Sequence, residues 1–454
     1  MKIINPATSE IITTVQEDDQ ASINNKINSL REGQKYWSAI PLQERIAIIQ
    51  KFAALLETNI ESCSTVLSNE VGKPLQQSRN EVNAAKTRIE WLSNHAEKYL
   101  SDEWMTLTGT TLEKIVYEPL GIVCNISAWN YPYLVGTNVF IPALIAGNAV
   151  LYKPSELSTL TGLQIEKYIH EAGVPQNVFQ IVIGASEVGE ILLDADLDGY
   201  FFTGSYKTGK LIYEKVCKKM KPCGLELGGK DPLYVTDDIS DIAIVATNTA
   251  DGAFYNNGQS CCSVERIYVH EKVYDAYVEA FVSEVKSYKI GAPLAENVYI
   301  AALTRKEQPE FLVNQVTDAL SKGAELCCGG NIISGSGNYF EPTVLINVNH
   351  EMDLMKEESF GPIIGIMKVA NDAEAIQLMN DTVYGLTASV YCNNEERANK
   401  LFSKLNTGTV YLNCCDRVSA TLPWSGRKQS GFGSTLSHAG LRAFTQPKAF
   451  HLRK

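Results

Sequence analysis

Two adjacent cysteines, Cys261 and Cys262, stand in a loop of small and polar residues, YNNGQSCCS at 255–263. Gly258 lets the backbone turn sharply just before them, which favours an exposed side chain at Cys261. A thiolate attacks carbonyl carbon well, so Cys261 is a candidate nucleophile. The loop alone is equally compatible with two buried structural cysteines, because free cysteine is among the most buried residue types.

Two further side chains could complete a site for such a nucleophile. Glu226 ends an apolar stretch just before two glycines, where partial desolvation would suit a general base. Asn130, in the segment AWNYP, lies at a predicted strand-to-helix junction, and its amide could donate to a developing oxyanion. Each has a common alternative: a surface or helix-capping carboxylate for Glu226, and an ordinary turn residue for Asn130.

Two other segments suit a nucleotide. Lys153 and Glu156, in KPSE, follow a predicted strand, and a cation with an acid at the carboxyl edge of a parallel sheet suits ribose hydroxyls. The segment FTGSYKTG at 202–209 predicts a strand, a turn and a helix, with glycines where the backbone could approach a pyrophosphate. It departs from the GxGxxG pattern, so it carries little weight alone.

The elements that must position these residues follow from the apolar spacing. From residue 120 onward strand and helix patterns alternate, which predicts parallel α/β sheets with right-handed crossovers. The glycine pair at 228–229 separates two such patterns, and the Cys261 loop falls early in the second. The Thr-rich stretch 106–117 alternates like a hairpin arm. Predicted helices cover 20–34, 41–57, 77–98, 132–146, 160–172, 186–194, 206–219, 271–287, 306–322, 372–381 and 394–404; predicted strands cover 121–127, 149–153, 178–183, 200–203, 265–270, 363–369, 386–391 and 408–413.

Length and composition bound the class of protein. The chain has 454 residues, enough for two or three domains, and 40 basic against 52 acidic side chains leave a net charge of -12, which argues against a nucleic-acid partner. The longest apolar stretch, 139–152, is too short and interrupted to span a membrane, and residues 1–6 lack a signal-peptide segment. The chain has eleven cysteines, too few for a disulfide-rich scaffold, which predicts a cytoplasmic protein with reduced thiols. Its six histidines are scattered along the sequence, so no metal site is expected.

Taken together, eight segments in chain order resemble the aldehyde dehydrogenase superfamily over nearly the whole chain. The resemblance implies that Cys261 is the nucleophile, Glu226 the general base, and Asn130 the oxyanion donor together with the Cys261 backbone N–H. It does not fix a role for Cys262. The segments are EPLG at 118–121, AWNYP at 128–132, KPSE at 153–156, FTGS at 202–205, LELGGK at 225–230, NNGQSC at 256–261, EESFGP at 357–362 and YGL at 384–386.

The implied fold is α/β, with three parts. A Rossmann-like coenzyme domain would comprise residues 1–105 and 119–228, an α/β catalytic domain residues 229–433, and a small β oligomerisation arm residues 106–118 and 434–454. The implied assembly is a homodimer or homotetramer.

The implied cofactor is NAD. A carboxylate at Glu156 would accept hydrogen bonds from the ribose 2′-OH and repel a 2′-phosphate. Lys153 and Glu156 are implied contacts of the adenosine ribose, Gly204 and Ser205 of the phosphates. The predicted cofactor-binding residues are Ser127, Trp129, Lys153, Ser155, Glu156, Gly204, Ser205, Gly209, Glu358 and Phe360.

The implied reaction is the oxidation of a small-molecule aldehyde to a carboxylic acid. Cys261 would form a thiohemiacetal and then a thioester, which water activated by Glu226 would hydrolyse. One alternative is acyl transfer to coenzyme A, which a water-activating Glu226 disfavours. A second is a non-catalytic binding protein on the same fold, disfavoured because such a scaffold has no need of Cys261, Glu226 and Asn130 together.

Tyr131 and Trp424 are the predicted substrate contacts. Aromatic faces attract cations, which favours an amino- or betaine-type aldehyde. If the two rings simply line an apolar tunnel, a neutral aliphatic or aromatic aldehyde is expected instead. Members that resemble betaine- and aminoaldehyde dehydrogenases often carry another aromatic ring at the position of Asn138, so the resemblance implies an incomplete aromatic cage for a cation here. A semialdehyde with a second carboxylate is expected less, because residues 135–138 carry no Arg or Lys; Arg417 and Arg427 keep that option open.

Overall fold

The computed structural model describes residues 1–107 and 110–453. Residues 108 and 109 of the predicted arm, and residue 454 of the predicted tail, lie outside the described residues. No helix of the described part is both long and apolar enough to cross a membrane.

The first hundred residues are mainly helical. The helices predicted over 20–34, 41–57 and 77–98 are present, and the sequence analysis missed one more, α3. The last of them, α4, is the longest, and one of its faces borders the site described below. The elements are β1 (Lys2–Ile4), β2 (Ile11–Thr14), α1 (Gln20–Ala39), α2 (Leu42–Thr58), α3 (Ile60–Val71), α4 (Leu75–Leu100), β3 (Glu103–Thr106) and β4 (Thr111–Pro119).

The next segment forms a parallel sheet with helical crossovers, as the alternation predicts. Its strands run in the order β9-β8-β5-β6-β7. All five residues of β6 are buried, which is typical of a sheet covered on both faces. The elements are β5 (Ile122–Ile126), α5 (Pro132–Ala146), β6 (Ala149–Lys153), α6 (Thr159–Ala172), β7 (Phe179–Ile181), α7 (Ser186–Asp194), β8 (Gly199–Thr203), α8 (Tyr206–Val216) and β9 (Cys223–Glu226).

The second sheet has seven strands in the order β12-β13-β14-β11-β10-β15-β16, and only the pairing of β12 with β13 is antiparallel. The sequence analysis missed β10, α9, β12 and β13. The elements are β10 (Asp231–Val235), α9 (Ile242–Phe254), β11 (Val264–His270), α10 (Tyr274–Ser287), α11 (Gln308–Ser321), β12 (Glu325–Cys328), β13 (Thr343–Ile346), β14 (Ile363–Val369), α12 (Asp372–Asn380), β15 (Thr387–Tyr391), α13 (Glu395–Phe402) and β16 (Thr409–Leu412).

The C-terminal segment returns to both earlier parts of the chain. The two-residue strand β17 (Gly431–Phe432) pairs with β9, so a segment from beyond the second sheet borders Glu226. After α14 (Ser437–Arg442), the strand β18 (Thr445–Arg453) pairs with β4, which also pairs with β3. The domain boundaries drawn from the sequence stay a prediction.

The order of the first sheet places several predicted site residues at one edge. The chain moves outward from β5 through β6 to β7, then returns to the other side of β5 for β8 and β9. Open α/β sheets bind ligands at such a switch point, outside the carboxyl ends of the strands. Asn130 follows β5, Gly204 follows β8, and Glu226 ends β9, so all three lie at this edge.

Candidate active site

The loop before Cys261 has an uncommon backbone conformation. Asn256, Asn257 and Gly258 have consecutive φ angles of 55°, 57° and 70°, in the left-handed region that few side chains favour. A Cβ added at Gly258 would lie 2.2 Å from the carbonyl oxygen of Gly361. Glycine is therefore required at this turn both for its conformation and for its close approach to a neighbouring backbone.

Side chains of the same loop fix it to the segment 301–304. The Asn257 amide accepts from the Ala301 backbone N–H at 2.7 Å and donates to the Ala302 carbonyl at 3.1 Å. The Gln259 side chain accepts from the Thr304 backbone N–H at 3.0 Å. Cys261 therefore stands on a loop held by the surrounding scaffold, as a positioned nucleophile requires.

The two cysteines have different environments. Cys261 is half-buried, whereas Cys262 is 4% exposed and its thiol donates to Asp416 Oδ1 at 2.9 Å. A hydrogen bond with Cys261, together with burial, raises the pKa of Cys262 well above its usual value. Because the thiolate is the nucleophilic form, the arrangement favours Cys261 over Cys262.

Asn130 is held on both sides. Its Nδ2 donates to the Gln259 carbonyl at 3.1 Å, which leaves one of its two amide N–H groups for a ligand. Its backbone carbonyl accepts from Lys73 Nζ at 2.7 Å. Lys73 forms a fully buried ion pair with Glu81, whose other oxygen accepts from the Tyr133 backbone N–H at 2.9 Å. This buried pair therefore fixes the turn that carries Asn130.

Glu226 ends β9 and its carboxylate accepts a hydrogen bond from the Thr435 hydroxyl. Burial raises the pKa of Glu226 to about 7, against the opposing effects of the Thr435 hydrogen bond and the positive charge of Arg88. A carboxylate with such a pKa can take up and release a proton near neutral pH, which suits a general base.

These three residues lie where two cavities meet. The first cavity, of about 350 Å³, borders the carboxyl ends of β5, β8 and β9. The second, of about 400 Å³, lies between α4, α5 and the Cys261 loop. Asn130, Glu226 and Cys261 are the residues common to the two linings. The structure thus brings the three predicted catalytic side chains together.

Five of the predicted cofactor residues line the first cavity. Ser205 caps α8, and a helix N-terminus is a ready site for a phosphate. Glu358 accepts from the Gly229 backbone N–H at 2.9 Å, and burial raises its pKa to about 8. The five lining residues are Trp129, Gly204, Ser205, Glu358 and Phe360.

Two further cofactor candidates carry polar atoms with unused hydrogen-bonding capacity. Ser127 directly follows β5 and Lys153 ends the neighbouring strand β6, and the Ser127 backbone N–H donates to the Lys153 carbonyl at 3.0 Å. Within the described part of the chain, the buried Ser127 hydroxyl has no partner, and Lys153 Nζ reaches only the Pro154 carbonyl, at 3.3 Å. Buried polar groups normally have partners. These free donors, together with Glu156 close in sequence, fit the hydroxyls of a bound dinucleotide.

The remaining cofactor candidates do not line the first cavity itself. Glu156 lines a third cavity of about 440 Å³, which shares Arg305 and Glu307 with the first, and accepts from the Ser155 hydroxyl at 3.2 Å. Gly209 faces Leu227, and a Cβ there would lie 2.4 Å from that side chain. Close packing between α8 and the segment after β9 therefore explains the glycine at 209 without a ligand.

Both predicted substrate residues, Tyr131 and Trp424, line the second cavity. Lys73 Nζ, however, lies 3.8 Å from the centroid of the Tyr131 ring, so one ring face already holds a cation. This contact weakens the argument that Tyr131 attracts a cationic aldehyde.

The sequence analysis did not identify several residues of this region. Glu81 and Arg88 both project from α4 into the second cavity, beside Gln77. Positions 77, 81 and 88 share one helix face, adjoining the apolar stripe that includes Val82 and Ile89. This polar stripe beside an apolar one was the available sequence signal.

A comparison with known families shows which family the chain belongs to. A model described as the aldehyde dehydrogenase family matches residues 1–450. The chain belongs to this family. It is therefore an aldehyde dehydrogenase enzyme of the α/β fold, which confirms the family, fold class and enzyme class predicted from the sequence.

Individual relatives differ in the aldehyde that their names give. The chain is 33% identical over 457 residues to the peroxisomal aminoaldehyde dehydrogenase 1 of Pisum sativum, covering 98% of this chain and 91% of the relative. It is 32% identical over 453 residues to the glutarate-semialdehyde dehydrogenase of Pseudomonas putida, covering 99% and 93%. Among solved structures, betaine aldehyde dehydrogenase from Staphylococcus aureus in complex with NAD+ superposes with a TM-score of 0.95 at 29% identity, covering 100% and 92%.

Proposed function

We propose that this aldehyde dehydrogenase oxidises its substrate to a carboxylic acid with NAD, through covalent intermediates on Cys261. The observation that carries the proposal is that Asn130, Glu226 and Cys261 are shared by the two cavities. An aldehyde in the second cavity and a coenzyme in the first would meet at these three side chains.

Cys261, Asn130 and Glu226 carry the chemical steps of the proposed reaction. The Cys261 thiolate attacks the aldehyde carbon, and the free amide N–H of Asn130 donates to the resulting oxyanion with the Cys261 backbone N–H. One such donor is typically worth about 3–4 kcal/mol. NAD, when bound, supplies the hydride acceptor. Loss of hydride from the tetrahedral carbon leaves a thioester, and Glu226 takes a proton from the water that attacks it. A water-activating base at this point disfavours acyl transfer to coenzyme A.

The choice of NAD over NADP rests on Glu156. Its carboxylate would accept hydrogen bonds from the ribose 2′-OH and repel a 2′-phosphate. We expect a higher kcat/KM with NAD than with NADP when one aldehyde is assayed with both cofactors. A preference for NADP would contradict this expectation, and the buried ammonium of Lys153 would then be the group to test next.

A homodimer or homotetramer and a cytoplasmic location complete the proposal. The exposed outer strand β18 supports the assembly. Of the aldehydes expected from Tyr131 and Trp424, the cationic one has less support, because Lys73 covers one face of Tyr131; this contact does not bear on a neutral aldehyde.

The decisive experiment compares Cys261→Ala with Cys262→Ala. We expect the first variant to lower the rate of cofactor reduction by at least about 10³-fold, since the covalent step is lost. Cys262→Ala should keep most of the activity, because that thiol is buried and protonated. Normal turnover by Cys261→Ala, or equal losses in the two variants, would refute the assignment.

A further inference from the structure

Arg88 brings a buried cation into the second cavity. The residue is 7% exposed and lines the cavity, and its Nη1 donates to Asn138 Oδ1 at 2.8 Å. A guanidinium has five N–H donors. Within residues 1–107 and 110–453, Arg88 makes no other hydrogen bond, and no carboxylate oxygen lies within 4.0 Å of its guanidinium nitrogens.

Such an environment is costly for a cation. A buried charge is normally paired, and an unpaired one carries most of its desolvation penalty. Burial lowers the pKa of Arg88 to about 10, against the opposing effects of the negative charges of Glu226 and Glu81, neither of which forms an ion pair with it, so the side chain stays charged at neutral pH. The planar fork of N–H groups matches a carboxylate in bidentate geometry, which an anion in the cavity could exploit.

Other charged groups of the cavity already have partners. Glu81 is paired with Lys73, and Glu226 accepts from the Thr435 hydroxyl. Asp416 accepts from the Cys262 thiol at 2.9 Å. Arg417 lies 3.6 Å from Asp251 and its side chain is 67% exposed. Arg88 is therefore the buried cation of this cavity whose donors are available to a ligand.

We propose that Arg88 anchors a substrate carboxylate, so that the preferred substrate is the semialdehyde of a dicarboxylic acid. The inference rests on the proposed function, in which the aldehyde end of the substrate reaches Cys261. It revises the expectation that residues 135–138 leave no cation for a second carboxylate. The cation is the Arg88 guanidinium, which projects from α4. Asn138, at a position where an aromatic ring would have favoured a cationic aldehyde, accepts a hydrogen bond from this guanidinium.

The test compares succinic semialdehyde with its methyl ester, which differ in the charge at one end. The wild-type enzyme should show a higher kcat/KM for the acid than for the ester. Arg88→Met should lower this acid-to-ester ratio by about 10- to 100-fold, the range expected for hydrogen bonds to a charged group. Arg88→Lys should recover part of the ratio, because it keeps the charge and loses the fork.

Two further variants isolate the role of the guanidinium. Arg417→Met is the matched control, since Arg417 borders the same cavity but faces Asp251, and the acid-to-ester ratio should stay at the wild-type value. Asn138→Asp would give Arg88 an internal carboxylate partner and should lower the ratio with the arginine still present. A fall in the ratio with Arg417→Met that equals that of Arg88→Met would overturn the proposal.

A binding measurement makes the test independent of turnover. Succinate should slow the alkylation of Cys261 by iodoacetamide in the wild-type protein and should do so far less in Arg88→Met.

Equal losses of kcat/KM for acid and ester in Arg88→Met, with a shifted pH profile, would show that Arg88 acts on Glu226 and would overturn the proposal. Oxidation of the ester but not the acid by wild-type enzyme would overturn it while leaving the proposed function intact. Failure of Cys261→Ala to lose activity refutes the proposed function separately.

Discussion

At the scale of single residues, Glu226 combines two properties that a water-activating base needs. It lines both cavities together with Cys261, where the proposed thioester would form. Its burial raises its pKa to about 7, close to the pH at which most enzymes work. The hydrogen bond from Thr435 holds the carboxylate in place without supplying a full counter-charge.

Glu226→Gln should separate the two halves of the reaction. The variant should still release one equivalent of reduced cofactor in a burst, because formation of the thioester does not use this base. Steady turnover should then fall by about 10²- to 10⁴-fold. Stopped-flow and steady-state assays measure the two phases, and an unchanged steady rate would show that another group activates water.

The pH dependence should report the same group. A base acts only when ionised, and the pKa of Glu226 is raised to about 7. The wild-type steady rate should therefore decline as pH falls through about 7. The decline should be lost from the residual steady rate of Glu226→Gln.

Motifs located Cys261, Glu226 and Asn130 from the sequence, because each stands beside glycines or turns whose pattern is distinctive. Arg88 and Lys73 could not be located in this way. Their importance comes from what lies around them after folding: an amide, a carbonyl and a cavity wall contributed by distant segments. Lys73 lies in the loop between α3 and α4, and Arg88 lies on the polar stripe of α4; an arginine or lysine at such a position is usually solvated, and the stripe alone does not show that Arg88 is buried.

At the scale of elements, α4 connects Arg88, in the second cavity, to the turn that carries Asn130. One face of the helix carries Arg88 into the cavity, and the same face carries Glu81 to Lys73, which holds the Asn130 turn. The helical period of 77–98 was predictable from apolar spacing. Which neighbours would cover its polar face was not, since that depends on the packing of α4 against α5.

Removing one member of the buried pair should be more damaging than removing both charges. Lys73→Met leaves the Glu81 carboxylate buried without its counter-ion, and we expect a loss of about 3–5 kcal/mol in the free energy of unfolding. Lys73→Met combined with Glu81→Gln should regain part of that loss, because the remaining amide still accepts from Tyr133. Urea denaturation followed by circular dichroism measures both variants. A Lys73→Met protein as stable as wild type would show that the pair contributes nothing.

At the scale of the whole molecule, the chain ends beside its early segments. The strand β17 adds to the first sheet next to Glu226, and β18 pairs along nine residues with β4. The sequence predicted an arm from 106–118 and the C-terminal tail through the family resemblance. Local patterns could not show the pairing partners, because both pairings join residues that are more than 200 positions apart in the sequence.

The arm leaves an edge that suits a second copy of the chain. Within the described ranges, β18 and β3 each pair only with β4, so both have an unpaired outer side. Leu452 and Trp104 on these strands are 41% and 47% exposed. An exposed edge strand with apolar side chains is a template for pairing with another chain.

Deletion of residues 446–454 should therefore convert the proposed oligomer to a monomer, as measured by light scattering during gel filtration. Leu452→Lys should weaken the assembly without truncation, because a charge on an edge strand opposes pairing. Leu320→Lys is the matched control, because Leu320 is 42% exposed but lies on α11 and not on the arm. The oligomer formed by this variant should have the same mass as the wild-type oligomer. Unfolding curves show whether the truncated chain still folds. A truncated protein that folds and keeps the wild-type mass would place the subunit interface elsewhere on the molecule.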